Sequence, residues 1–167
     1  TKLALQQEIL TRNLIRKRAT DSELEIENRI SWIRILGSVP EPESLSTLIT
    51  MLDTDSPERI LRTIQKVLNQ HRSRTIPHLW PLLESSNPKL IELGQQILKD
   101  LDFDPKMLPD LVKNYRSGSE ARRRSIEIHL AASPKLARQE LLQIRQRGSD
   151  TTLLKLLEIL PKGTTPS

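Results

Sequence analysis

Apolar residues recur along this chain of 167 residues in short stripes at helical spacing, separated by clusters of turn-forming residues. The clearest stretch runs from Leu48 to Leu68. Leu48, Ile49, Met51 and Leu52 close one stripe, Asp53-Thr54-Asp55-Ser56-Pro57 interrupts it, and Ile60, Ile64, Val67 and Leu68 resume on one face of a second helix. The spacing predicts a helix, a tight turn and another helix. Asp53, Asp55 or Ser56 is suited to accept from the free N–H groups that open the second helix. Pro57 is suited to a position where a missing N–H costs nothing, and Glu58 to the positive end of the helix.

The same phrase returns at a period of about 31 residues. Leu79, Leu82 and Leu83 precede Glu84-Ser85-Ser86-Asn87-Pro88, and Leu90, Leu93, Gly94, Ile97 and Leu98 follow. Leu108, Leu111, Val112 and Tyr115 precede Ser117-Gly118-Ser119-Glu120, with Ser125, Ile126 and Ile128 beyond. Leu136, Leu141, Leu142 and Ile144 precede Arg147-Gly148-Ser149-Asp150, with Leu153, Leu156, Leu157 and Leu160 beyond. Counting back from Ile64 and Val67 lands on Ile33 and Leu36, so a helix over 23–38 is expected to pair with one over 3–18 through the turn Ala19-Thr20-Asp21-Ser22. Ile33, Ile64, Gly94, Ser125 and Leu156 are expected in equivalent buried positions, and the fold class is all-α, with ten helices in five antiparallel pairs.

The pattern L-x-x-L, then D-x-D-x-P, then an apolar helix with an early arginine resembles the HEAT repeat of the armadillo-like families. The resemblance covers residues 1–160 as a single domain, with 161–167 (from Pro161 through KGTTPS) as a linker or tail. It implies a right-handed α-solenoid whose second helices, at roughly 23–38, 57–70, 88–100, 119–131 and 150–160, line a concave face used to bind proteins. The start at Thr1 and the Pro/Gly/Thr ending lead us to expect a piece of a longer protein.

Composition narrows the chemistry. The chain has 36% hydrophobic residues, 28% charged residues and four aromatics (Trp32, Trp80, Phe103 and Tyr115), so its core must be aliphatic. The absence of cysteine removes disulfides, thiolate zinc sites and cysteine nucleophiles, and is compatible with a cytoplasmic setting. No apolar run approaches the roughly 18 residues of a membrane span. There is no G-x-S-x-G, phosphate-binding loop, G-x-G-x-x-G or H-E-x-x-H, and His71, His78 and His129 lack metal-ligand spacing. Asp100, Asp102 and Asp104 alternate like the start of a calcium loop but lack its central glycine and distal glutamate, so Asp104 is expected to cap a helix opened at Pro105. We therefore expect no catalytic residues, no metal ligands and no cofactor.

A net charge of +5 invites a nucleic-acid partner, but neither half of the chain is a dedicated basic arm, and the expected partner is an acidic protein surface. Arg29, Arg59, Arg62 and Lys66 on the early second helices, and Arg122-Arg123-Arg124 in the fourth repeat, are the candidate partner-binding residues, expected to meet carboxylates. The arginine triplet has a plainer alternative, in which it is solvated or pairs with Glu120 and Glu127. Arg12, Arg16, Lys17 and Arg18 form a second basic patch, expected to be a solvated terminal face. Trp32 and Trp80 are expected to fill space between repeats, or else to anchor a partner. The expected function is a non-enzymatic interaction scaffold that binds a protein or another domain of its parent chain. Two alternatives stay open: a nucleic-acid-binding helical-repeat protein of the DNA-repair kind, and a cofactor-handling, lyase-like scaffold.

Overall fold

The computed structural model describes residues 1–38, 41–53, 55–148 and 150–161, whose regular elements are all helices, with no strand among them. The turn residues Thr54 and Ser149 and the tail residues 162–167 lie outside the described residues. The helices are α1 (Lys2–Thr20), α2 (Ile26–Ser38), α3 (Pro42–Leu52), α4 (Glu58–Gln70), α5 (Arg72–Thr75), α6 (Trp80–Leu83), α7 (Pro88–Asp100), α8 (Leu108–Ser117), α9 (Glu120–Ala131), α10 (Pro134–Arg147) and α11 (Thr151–Ile159). Among the described residues, no helix is long and apolar enough to cross a membrane.

The chain divides into two compact units, Thr1–Thr75 and Ile76–Ser167. In the first, α1 packs on α2, α3 on α4, and the second helices α2 and α4 pack on each other. In the second, α6 packs on α7, α8 on α9 and α10 on α11, with α7 against α9. Ile33, Ile64, Gly94, Ser125 and Leu156 are all buried, as the repeat register requires. Ser125 satisfies its hydroxyl on the Ala121 carbonyl, 2.8 Å away, so the slot holds a polar residue without an orphaned donor.

Side chains cap several turns, Asp104 among them as expected. Asn87 accepts from the Lys89 N–H at 3.1 Å, Asp104 from Lys106 at 3.0 Å, Ser119 from Arg122 at 3.3 Å and Asp150 from Thr152 at 2.9 Å. Pro57 differs from expectation. It stands at the N-cap of α4 rather than inside the helix, and its carbonyl accepts from Ile60 and Leu61. The helix expected over 23–38 begins only at Ile26, because Asp21 turns its carboxylate onto the Glu23 N–H and holds that stretch in a side-chain turn. The first helix of the third pair is broken into α5, a 3-10 turn at Ile76–His78 and α6. Pro77 and Pro81 explain this: each lacks an N–H, and its ring clashes with the carbonyl four residues back in a continuous helix.

Helix spacing in the first unit is set by a glycine. A Cβ built on Gly37 of α2 would fall 2.9 Å from Val67 Cγ2 of α4, and closer still to Cγ1, so the α2 backbone lies directly on a buried valine. Beside it, His71 Nε2 donates to the Gly37 carbonyl at 2.7 Å and satisfies an acceptor at the free end of α2. The second unit repeats the device: His129 Nδ1 donates to the Leu98 carbonyl at 2.8 Å in the last turn before the end of α7. His129 is 2% exposed, and burial pushes its imidazole below the ordinary value of 6.5.

Two outcomes follow from this packing. Gly37→Ala gains up to about 1 kcal/mol of helix propensity but overpacks a site where such strain costs about 1–3 kcal/mol. Denaturant unfolding should therefore register a net loss of about 1 kcal/mol, which Val67→Ala in the same chain should offset in part by making room. The second concerns pH. Above 6.5 His129 is neutral in both folded and unfolded chains; as the pH falls below that value the unfolded chain binds the proton first, so stability declines until the buried ring also charges. Unfolding midpoints should drop between about pH 7 and pH 5, and His129→Gln, which keeps a side-chain N–H but does not titrate, should flatten that drop.

Candidate functional site

The face of α4 next to its buried stripe carries Arg59, Arg62, Thr63, Lys66 and Gln70, spaced so that they lie one above another along the helix. On α2, Arg34 comes one residue after buried Ile33 and points to the same side as Ile30 and Gly37. Because α2 and α4 approach closely at Gly37 and Val67, these two rows bound a groove of about 740 Å³. Four cations line it (Arg34, Arg59, Arg62 and Lys66), with no carboxylate among the lining residues.

The cations are not equally engaged. Arg59 pairs with Glu27 of α2, and Arg62 with Glu58 one turn earlier at 2.5 Å. All four of these side chains are about two-thirds exposed or more, so each pair contributes only about 0–1 kcal/mol and is easily exchanged for another anion. Arg34 and Lys66 are exposed and make no ion pair among the described residues. Thr63 donates its hydroxyl to the Arg59 carbonyl at 2.8 Å and offers only oxygen lone pairs to the groove. His71 closes one end with its Nε2–H already committed to Gly37.

Three of the sequence-derived partner contacts, Arg59, Arg62 and Lys66, thus come together in one groove. Arg29 does not join them. It is 7% exposed, and its Nε donates to the Ala19 carbonyl at 3.4 Å, in the last turn of α1. Arg34 and Gln70 escaped sequence reasoning. The available signal was their place beside the core stripe, since a residue adjacent to a buried helical position borders whatever groove the next helix leaves.

The triplet in α9 is split three ways. Arg122 turns inward, its side chain only 14% exposed, and its Nε lies 2.9 Å from Glu84 Oε1. Its guanidinium stands 5.7 Å from the Trp80 ring centre and donates to Asn114 Oδ1 at 2.9 Å. Asn114 donates to Asp110 Oδ1 at 2.6 Å, and Trp80 Nε1 donates to the same oxygen at 3.3 Å. Bonds from Ser119, then the Arg122 charge, hold the Glu84 carboxyl below the usual carboxylate range. Gly118 permits this arrangement, because a Cβ there would lie 2.6 Å from Arg122 Cδ. Arg123 donates through Nε to the Tyr115 carbonyl at 3.1 Å, while Arg124 is exposed to solvent.

The three guanidinium groups thus have three different surroundings, and the acidic residue paired with Arg122 is Glu84 rather than Glu120 or Glu127. Glu127 accepts from the Tyr115 hydroxyl at 2.7 Å, and that hydroxyl is pushed up to about 12, chiefly by burial and then by the glutamate. Trp80 is 8% exposed and serves as filler joined to this network, while Trp32 is half-buried. In the N-terminal basic patch, Arg12 meets Glu41 at 2.7 Å and Arg16 meets Glu43 at 2.9 Å, fastening α1 to the start of α3. Lys17 and Arg18 are exposed.

No protein-family model and no curated protein matches this sequence.

Because Arg122 joins α6, α8 and α9, Arg122→Ala should lower the stability of the second unit by about 1–3 kcal/mol, the range for orphaning buried hydrogen-bonding groups. Arg124→Ala should change it by no more than about 0.5 kcal/mol. Thermal unfolding of the two variants side by side checks the assignment.

Proposed function

We propose that this chain is a non-enzymatic docking module built of HEAT-like helix pairs in a right-handed solenoid, and that it grips an acidic protein segment along its second-helix face. The observation that carries this reading is the α2–α4 groove, where two adjacent second helices set four cations without an intervening carboxylate. Among the described residues Arg34 and Lys66 make no ion pair, and the pairs of Arg59 and Arg62 are exposed enough to be replaced by a partner's carboxylates at little cost. Guanidinium groups at i and i+3 suit bidentate contacts with glutamate or aspartate side chains along an extended or helical segment.

Nucleic acid is the second reading, on the same charges. The spacing of the cations favours protein: they form one cluster in the first repeats, while the later second helices place Glu92, Gln96, Glu127 and Glu158 where a phosphate-tracking groove needs further lysine or arginine.

The reading is tested by fluorescence titration of the full chain with an oligoglutamate peptide and, separately, with short duplex DNA. The peptide should bind with an affinity that weakens as salt rises, and Arg34→Glu with Lys66→Glu should reduce it about tenfold or more while leaving the melting temperature within a few degrees. Tighter binding of the duplex, lost in the same double variant, would transfer the groove to nucleic acid. Unchanged peptide binding by the variant would remove this groove from the reading.

A further inference from the structure

We propose that a second groove, at the first turn of α2, is a binding site for an apolar monocarboxylate held by Arg29. It lies apart from the residues that line the α2–α4 groove and does not depend on the docking reading.

The starting point is a charge in the wrong place. In the repeat register Arg29 occupies the slot of Ile60, which is fully buried in the next pair. A buried guanidinium is normally matched by a carboxylate, because the uncompensated charge is expensive to remove from water. Among the described residues Arg29 has no ion pair, and it makes a single long bond through Nε to the Ala19 carbonyl. Among the described residues, neither terminal nitrogen makes a hydrogen bond. Arg29 is among the residues that line a groove of about 660 Å³, within the size range of small-ligand sites.

The walls of that groove select the ligand. Leu24, Ile26, Met51 and Pro57 give it an apolar body. Thr47 and Thr50 also line it, but their hydroxyls donate to the Glu43 and Ser46 carbonyls at 2.8 and 2.9 Å. They face a ligand as acceptors, so they add no donor for an anion. Among the described residues Arg29 is the one cation in the lining, and Asp55 places an exposed carboxylate at its edge. A doubly charged phosphate would meet one cation and one opposing anion there. A single carboxylate matches the planar fork of the guanidinium with two parallel bonds and leaves no excess negative charge beside Asp55. The ligand class is a carboxylate on an apolar body, whether a free organic acid or the C-terminal residue of a peptide.

The test is an amide-resolved NMR titration of the full chain with octanoate, with N-acetyl-leucine and with N-acetyl-leucine amide. The proposal expects saturable shifts confined to 20–29 and 47–57 for the acids, with dissociation constants on the order of millimolar, and at least tenfold weaker binding of the amide. Tighter binding of N-acetyl-leucine than octanoate identifies a peptide terminus as the source, and the reverse identifies a free acid. Arg29→Met should keep or raise the melting temperature and abolish the acid response, and Arg29→Lys, which retains charge without the fork, should weaken it severalfold. Equal binding of acid and amide by the unaltered protein, no saturable shift with either acid, or undiminished acid binding by Arg29→Met would overturn the proposal.

Discussion

Where α2 meets α4, the bare backbone of Gly37 takes the side chain of Val67, and much of the first unit follows from that contact. An aliphatic stripe on a two-helix element cannot be buried within the element, so it is covered by the next one. How closely the second helices approach then depends on the smallest residue at the crossing. With glycine there, α2 comes near enough for His71 to reach its last carbonyls, and for the polar rows flanking the two buried stripes to face each other as walls of one groove. A methyl group at the same position would act on the core, the helix cap and the groove together.

Arginine serves this fold in three physically different ways. Arg59 and Arg62 lie in solvent, where a neighbouring glutamate contributes little and another anion can take its place. Arg122 is drawn inside, its stem accommodated by Gly118 and its head held by Glu84, Asn114 and the Trp80 ring, so it acts as a bolt through three helices. Arg29 is buried more deeply than Arg122 and, among the described residues, makes no ion pair. The same side chain is thus exchangeable, structural or poised for a ligand according to its burial and to the presence or absence of a fixed counter-charge.

Helix identity, the order of helix pairs and the shared buried slot from Ile33 to Leu156 were legible in the sequence, since the 3.6-residue period, Pro and Asx caps and aliphatic stripes are local properties. So was half of the cationic groove, because Arg59, Arg62 and Lys66 belong to one helix face. The break at Pro77 and Pro81 was equally local, yet the repeat register passed over it by aligning Leu79, Leu82 and Leu83 without the prolines between them.

What the sequence by itself determined is the helical class and the shared buried slot from Ile33 to Leu156, because those depend on neighbours within a few positions along the chain. Tertiary structure alone decided the fate of each charge. Arg29 and Arg122 resemble Arg62 and Arg124 as letters in amphipathic helices, and their difference comes from residues far away in sequence: the end of α1 for one, and Glu84, Trp80 and Asn114 for the other. Arg34 joined the site for the same reason, since a groove belongs to two helices and its width is set by their separation. Local periodicity records the direction in which a side chain points but carries no information on what stands opposite.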